Sequence, residues 1–166
     1  GYNHLSSQGI VVNIISDDEE IDRASENDEV IVITNQTPFY AESGGQMGDV
    51  GYTSWPNGKA QVKNTTKISS LFLHFCKIEK GTLELGQSIQ MDVDIERRNK
   101  LRANHSSTHL LHEALRLTLG DHVLQKGSLV APDRLRFDFS HNVALKAEQI
   151  ALVEDIINEQ VQLNTN

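Results

Sequence analysis

Short runs of apolar or alternating residues recur through the first 96 positions of the chain. A period of two residues is typical of strands with one buried face, and glycine-containing turns separate the runs. Asn57-Gly58 after Pro56 predicts a hairpin, because two consecutive positive φ angles favour Asn and Gly. Many short strands with such turns predict a small β-barrel or sandwich. The predicted strands are Ile10–Ile15, Val30–Thr34, Ala60–Thr66, Leu71–Ile78 and Ser88–Ile95.

The apolar period changes at Glu96. Beyond it, apolar residues recur every three or four positions until Gly120-Asp121, which predicts a long helix that ends there. Only two strands follow before a final amphipathic helix, so the second half has a thin core, and we expect its domain to continue beyond Asn166 in a longer parent. The chain is therefore predicted to be α+β. The elements predicted in this half are a helix at Arg97–Leu119, strands at Val123–Val130 and Arg134–Phe139, and a helix at Lys146–Gln162.

Charge is distributed unevenly along the 166 residues. The formal net charge is −8, of which residues 1–96 contribute −9 and residues 97–166 contribute +1. Eight acids lie in the stretch Asp17–Glu29, which we predict to be a solvated loop or short helix. The second half is therefore not repelled from phosphate, although no basic patch indicates nucleic-acid binding by itself.

Composition also excludes several classes of protein. The chain has one cysteine, Cys76, so it has no internal disulfide, which suits a reducing compartment. No apolar window reaches the 18 or more residues of a membrane-spanning helix. Residue 1 is Gly and no apolar signal segment follows, so we expect a processed or excised piece of a longer cytoplasmic protein.

His105 and His109 form the sharpest chemical pattern in the sequence. A spacing of four places both imidazoles on one helix face about one turn apart, where their nitrogens can converge on a metal ion. A complete zinc site needs further ligands, for which His112 on the same stripe, or His74 and Cys76 on one strand face, are candidates by type. The alternatives, a chance pair or a pair packed in a polar core, remain open on spacing alone.

Two further segments combine glycine with polar side chains. Gln125 and Ser128 flank Gly127 at the start of a predicted strand, which fits either a small polar pocket or an ordinary turn. The stretch Thr37–Gly51 is rich in glycine, but it lacks the lysine of a nucleotide-binding P-loop. It is therefore either a close-approach loop for a ligand or a structural turn.

Three segments, taken together and in order, resemble the editing region of the alanyl-tRNA synthetase family. They are Thr37–Asp49 (TPFYAESGGQMGD), Asn104–His112 (NHSSTHLLH) and Gln125–Phe139 (QKGSLVAPDRLRFDF). The resemblance covers nearly the whole chain. It implies a small β-barrel domain over residues 1–96, followed over residues 97–166 by the truncated start of an α/β editing domain shared with threonyl-tRNA synthetase.

The resemblance also implies a function. The parent protein would attach alanine to its tRNA in an ATP-dependent reaction, and this region would contribute to hydrolysis of the ester in mischarged Ser-tRNA or Gly-tRNA. Its partner would be tRNA, with no membrane and no protein partner evident. The residues that the resemblance implies are His105 and His109 as zinc ligands, Thr108, Gln125 and Ser128 for catalysis in the amino-acid pocket, and Gly44, Gly45 and Gln46 on the tRNA side.

One departure from the family pattern changes the expectation for this chain. The family's other zinc ligands lie in a downstream Cys-x-x-x-His motif, which is not present in these 166 residues. We therefore expect the isolated chain to bind zinc weakly or not at all and to hydrolyse nothing measurable. Two other functions remain open at this stage, a free-standing trans-editing aminoacyl-tRNA deacylase and a non-catalytic tRNA-binding module.

Overall fold

The structure is a computed structural model that describes residues 4–164. Its contacts divide these residues into a barrel unit, residues 4–43 and 47–98, and a second unit, residues 44–46 and 99–164. The elements are β1 (Ser6–Ser16), β2 (Glu19–Glu20), β3 (Arg23–Ala24), β4 (Glu29–Thr34), β5 (Gly51–Trp55), β6 (Gly58–Ile68), β7 (Leu71–Lys80), β8 (Leu83–Glu84), β9 (Ser88–Val93), α1 (Ile95–Leu119), β10 (Gln125–Val130), β11 (Leu135–Phe139) and α2 (Ala147–Asn164).

Six antiparallel strands close into a barrel in the barrel unit. Their order is β1-β4-β7-β6-β5-β9, and the pairing of β9 with β1 closes the ring. The continuous ladder confirms the predicted barrel and rules out the sandwich, because a sandwich would break the ring into two sheets. Each predicted strand is present and extends or shortens by a few residues, and β5 is an additional strand that the apolar pattern did not indicate.

Alternate residues of the strands fill the interior of the barrel. In β9, for example, Ile89, Met91 and Val93 are buried while the residues between them are more exposed. Fully burying each such side chain stabilises the fold by roughly 1.5–3 kcal/mol. The buried cluster comprises Val11, Ile14, Ala24, Val30, Val32, Phe39, Ala60, Val62, Cys76, Ile78, Leu83, Ile89, Met91 and Val93, and Ile21 and Trp55 pack against it.

The hairpin between β5 and β6 forms, but not by the predicted turn. Trp55 pairs with Gly58, so the two central residues are Pro56 and Asn57, and neither Asn57 nor Gly58 has a positive φ. Proline presets the backbone angle of the first central position, which outweighs the Asn-Gly signal. Gly58 is needed for a different reason, since a Cβ there would overlap the indole ring of Trp55.

The acidic stretch Asp17–Glu29 differs from the predicted loop or short helix. It contains two short strands, of which β2 pairs with the end of β1 and β3 pairs with β8. Ala24 in β3 is fully buried in the barrel core, and Ile21 packs against that core. The apolar residues between the acids therefore anchor this stretch, while Asp17 and Asp18 form the left-handed turn that joins β1 to β2.

The second unit contains most of α1, the hairpin β10–β11 and α2. The side chain of Asp94 caps the start of α1 by accepting a hydrogen bond from the Arg97 N–H at 3.0 Å, which places the start two residues before the predicted one. Gly120, with a φ of 118°, ends the helix as predicted. The core of this unit consists of Ala114, Leu115, Val123 and Val153, with seven partly buried apolar residues around them. Between residues 4 and 164, neither helix combines the length and apolar content that crossing a bilayer requires.

Candidate functional site

His105 and His109 lie one turn apart on an exposed face of α1. Their Nε2 atoms are 2.9 Å apart, their ring centroids 4.7 Å apart, and their ring planes 68° apart. The predicted helix therefore directs both imidazole nitrogens toward one point in solvent. Spacing alone left chance pairing and packing in a polar core open, and the exposure of both rings rules out the latter.

The geometry of this pair fits part of a zinc site. Two nitrogens in tetrahedral zinc coordination, each about 2.05 Å from the ion, lie about 3.3 Å apart, so the observed pair needs only a small opening. Within residues 4–164, however, no third His, Cys, Asp or Glu joins the pair. His112, proposed as a third ligand, instead packs against the ring of Phe137 at 5.2 Å between centroids, and its Nε2 is buried without a hydrogen-bond partner. Two donors of the four that zinc prefers are therefore present in this part of the chain.

Thr108 lies on the buried side of the same helical segment. Its hydroxyl donates a hydrogen bond to the carbonyl of Asn104 at 2.9 Å, which fixes the side-chain rotamer and leaves oxygen lone pairs as acceptors. The Asn104 amide in turn donates to the carbonyl of Ala131 at 2.7 Å, directly after β10. This contact ties the helix turn that carries the histidines to the end of the strand that begins at Gln125.

The glycine segment, residues 44–46, is brought together with Gln125 and Ser128. The Gln125 amide donates to the Ser128 hydroxyl at 3.2 Å, and that hydroxyl donates to the Gly44 carbonyl at 3.2 Å. The Val130 N–H donates to the Gly45 carbonyl at 2.8 Å, and Gln46 forms a parallel bridge with Val130. Two groups of residues that the sequence singled out separately thus form one hydrogen-bonded cluster.

Gly45 makes the closest approach in this cluster. It has a φ of 82°, in the left-handed region, and a Cβ at this position would overlap the carbonyl oxygen of Ser128. Gly44, with a φ of 57°, has open space where its Cβ would be. The backbone conformation therefore favours glycine at both positions, and contact with Ser128 additionally requires it at Gly45.

The flanks of the glycine segment are anchored inside the barrel unit by a buried ion pair that the sequence did not reveal. The Asp49 carboxylate accepts hydrogen bonds from the Tyr40 N–H at 2.7 Å and from the Arg98 guanidinium. The side chains of Asp49 and Arg98 are only 3% and 1% exposed. Arg98 also donates to the Pro38 carbonyl at 2.6 Å. The stretch from Pro38 to Asp49 is therefore held at both ends.

His74 and Cys76, considered as ligands that could complete a metal site, lie instead in the barrel core. His74 Nδ1 donates to the Val32 carbonyl at 2.8 Å, and its Nε2 accepts from the Thr37 hydroxyl at 2.7 Å, so both ring nitrogens are occupied. Burial lowers the pKa of His74 to about 4, against the opposing effect of the hydrogen bond to Val32. Burial also raises the pKa of the Cys76 thiol to about 12, which disfavours the thiolate that a metal requires.

A second histidine pair lies in the second unit and was not predicted. His122 Nε2 and His141 Nδ1 are 2.8 Å apart, with ring centroids 5.1 Å apart and ring planes 24° apart. The two nitrogens are slightly closer than those of His105 and His109, yet the ring centroids are farther apart. The two centroids and the two nitrogens therefore lie closer to one straight line than in the first pair. Both contacts are short enough for one ring N–H to donate to a lone pair of the other ring, and the tautomers decide which ring donates.

Known proteins resemble this chain over nearly its whole length. Residues 1–97 match the family model for class II (A) tRNA synthetases. The chain is 50% identical over 165 residues to the alanine–tRNA ligase of Chelativorans sp., 53% over 166 residues to that of Sphingopyxis alaskensis, and 48% over 166 residues to that of Rhizobium meliloti. Each alignment covers 99% of this chain and 19% of the relative, so the chain spans about a fifth of the length of the curated relatives it matches.

Proposed function

The chain belongs to the class II (A) tRNA synthetases, and from that premise we propose that it is the editing region of an alanine–tRNA ligase. In this proposal residues 1–96 are a β-barrel domain and residues 97–166 begin the editing domain. The parent attaches alanine to its tRNA, and this region contributes to hydrolysis of mischarged Ser-tRNA or Gly-tRNA. The observation that carries the proposal is the joining of Gly44, Gln125 and Ser128 in one polar cluster.

The need for a second, hydrolytic site follows from the small size of alanine. One methylene changes binding by only about 1–3 kcal/mol, so a synthetic pocket cannot strongly exclude glycine or serine. An editing pocket that hydrogen-bonds the serine hydroxyl rejects alanine instead, because its own polar groups would be left unpaired at a cost of about 1–3 kcal/mol each. Discrimination therefore requires polar side chains with hydrogen-bonding capacity to spare.

The described side chains offer that capacity. The Ser128 hydroxyl is engaged as donor and acceptor, and it holds one amide hydrogen of Gln125. A glutamine amide has a second hydrogen and a carbonyl oxygen with which to bind a ligand. The Thr108 hydroxyl presents only acceptor lone pairs, because its hydrogen is held by Asn104. We propose that Gln125 donates to the serine hydroxyl and that Thr108 accepts from it, with Gly44, Gly45 and Gln46 on the tRNA side.

His105 and His109 are the zinc ligands in this proposal, together with ligands from parts of the parent outside residues 4–164. Zinc bound there supplies a positive centre for polar atoms of the substrate. The role of this chain is to hold the two imidazoles one turn apart with their nitrogens converging at 2.9 Å. An incomplete ligand set predicts that the isolated chain binds zinc weakly and has no measurable deacylase activity.

Deacylation of Ser-tRNA by the purified parent protein tests the proposal. We expect the double variant His105→Ala/His109→Ala to lose at least about 100-fold in rate, because loss of metal-site partners alone costs 10–100-fold. The control is His4→Ala, a histidine on the exposed surface of the barrel unit, which should leave the rate unchanged. Equal rates for all three proteins would favour a non-catalytic tRNA-binding module. Tight stoichiometric zinc in the isolated chain would refute the incomplete site.

A further inference from the structure

The open end of the β10–β11 hairpin is closed by a clasp, which consists of His122, Leu124, Ser140 and His141. The Ser140 hydroxyl accepts a hydrogen bond from the Leu124 N–H at 3.0 Å and donates one to the His122 carbonyl at 2.9 Å. The Ser140 N–H donates to the Leu124 carbonyl at 3.0 Å. The clasp therefore extends the ladder of the hairpin beyond its last paired residues.

The two imidazoles of the clasp form its outermost contact. The nearly in-line 2.8 Å approach of His122 Nε2 to His141 Nδ1 is a hydrogen bond between neutral rings or between one charged and one neutral ring. His122 is exposed, whereas His141 is partly buried and its Nε2 atom is buried. The pair links the turn after α1 to the segment after β11.

Gln125 lies directly between this clasp and an irregularity in the strand pairing. It pairs with Phe139, but the next pair is Gly127 with Asp138, so Lys126 forms a bulge. A bulge disrupts the ladder locally and re-aims the side chains beside it. The regular ladder is therefore interrupted on one side of Gln125, and the clasp is the neighbouring constraint on its other side.

We propose that His122 and His141 are positioning residues, which hold Gln125 in the orientation that reaches Ser128. This inference rests on the proposed function, in which Gln125 recognises the amino acid of the mischarged tRNA. In this role the two histidines act through Gln125. Their hydrogen bond sets the twist of the strand end, and a shift of about 1 Å in a positioned group can reduce a rate by up to about 100-fold.

Nuclear magnetic resonance of the 166-residue chain tests how the Gln125 side chain is held, and it requires no enzymatic activity. We expect a scalar coupling between His122 Nε2 and His141 Nδ1 across their hydrogen bond. In His141→Leu the coupling is lost, and the side-chain amide signals of Gln125 should shift and broaden. His141→Asn keeps a polar atom where Nδ1 was, so it should restore the Gln125 signals. Unchanged Gln125 signals in His141→Leu would overturn the proposal.

A double-mutant cycle in the parent protein tests the consequence for editing. With Ser-tRNA we expect His141→Leu to lower kcat by about tenfold with an unchanged KM, and His141→Asn to recover most of it. In a Gln125→Ala background His141→Leu should cause no further loss, because the histidine acts through Gln125. An equal loss in both backgrounds would overturn the proposal. If the wild-type parent does not deacylate Ser-tRNA, the proposed function fails, and the Gln125 signals still decide the placement.

Discussion

The barrel unit and the second unit of this chain satisfy their buried polar groups to different degrees. In the barrel, Asp49, Thr65, His74 and Arg98 are all buried and all have hydrogen-bond partners. Among the described residues of the second unit, three side chains have a buried nitrogen or oxygen without a hydrogen-bond partner, namely His112, Thr118 and His141. Among the described residues of the barrel unit there is one such atom, the hydroxyl oxygen of Ser7. The candidate chemistry therefore lies in the less completely satisfied unit.

The apolar cores differ in the same direction. The described core of the barrel has fourteen buried residues, and that of the second unit has four. Because hydrophobic burial is the dominant favourable term in folding, the barrel unit is expected to be the more stable part. This chain therefore separates a closed, well-packed scaffold from a thinly packed unit that carries His105, His109 and the Gln125–Ser128 cluster.

The largest effect is expected from breaking the buried ion pair of the barrel. Asp49→Ala leaves the Arg98 guanidinium buried without a counter-charge, which should lower the free energy of unfolding of the barrel by about 3–5 kcal/mol. Urea unfolding followed by amide signals of β6 measures this. The control is Glu84→Ala, whose partner Arg23 is exposed, and its effect should stay below about 1 kcal/mol. Similar losses in both variants would contradict the assignment of Asp49 as a buried anchor.

Acid is expected to destabilise the barrel through His74. Its pKa is about 4 in the fold against 6.5 for an ordinary histidine, so the unfolded chain binds the proton more readily. Stability is therefore fully present above pH 6.5 and falls as the pH drops toward 4, by on the order of 3 kcal/mol from this group. Urea unfolding of the wild type and of His74→Gln across pH 4–7 isolates the effect, because the carboxylates titrate in both. Parallel curves would show that His74 does not contribute.

Two valines provide a matched test of the two cores. Val62 lies in the barrel cluster and Val153 in the small cluster of the second unit. Both changes to alanine remove the same two methyl groups, but a thin core collapses more easily around the space left behind. We expect losses of about 2 kcal/mol for Val62→Ala and about 1 kcal/mol for Val153→Ala, from hydrogen exchange of β6 and α2 amides. A larger loss at Val153 would reverse the comparison.

The most local effect is expected at the glycine segment. Gly44→Ala and Gly45→Ala both force alanine into the left-handed region, but only the second collides with Ser128. The amide of Val130, which donates to the Gly45 carbonyl, should exchange about tenfold faster in Gly45→Ala than in Gly44→Ala, which corresponds to the loss of about one hydrogen bond. Equal exchange rates in the two variants would show that contact with Ser128 does not hold the segment.

The periodic parts of the fold were predictable because they depend on neighbours in sequence. Alternation indicated five of the six barrel strands, and the period of three to four indicated both helices. The i, i+4 spacing also placed His105 and His109 on one face, as the structure shows. The zinc, pocket and tRNA roles of these residues stay predictions.

Contacts between residues far apart in the chain were not predictable in the same way. Asp49 and Arg98 are 49 residues apart, and His122 and His141 are 19 apart, and no short-range pattern indicates either pair. The strand Gly51–Trp55 was missed because it follows directly on the glycine-rich stretch, where a turn was the simpler interpretation. The acidic stretch was misjudged because its charges outnumber the few apolar residues that anchor it.

Trp55 is the sole tryptophan of the chain, and its position limits what optical measurements reveal. Its indole N–H donates to the Thr82 carbonyl at 3.0 Å, and its ring covers Gly58 against the barrel core. Intrinsic fluorescence at the tryptophan wavelength therefore reports on the barrel unit, where Trp55 lies. It gives no direct view of the histidine-bearing unit, so screening for variants that loosen that unit calls for a label placed on α2.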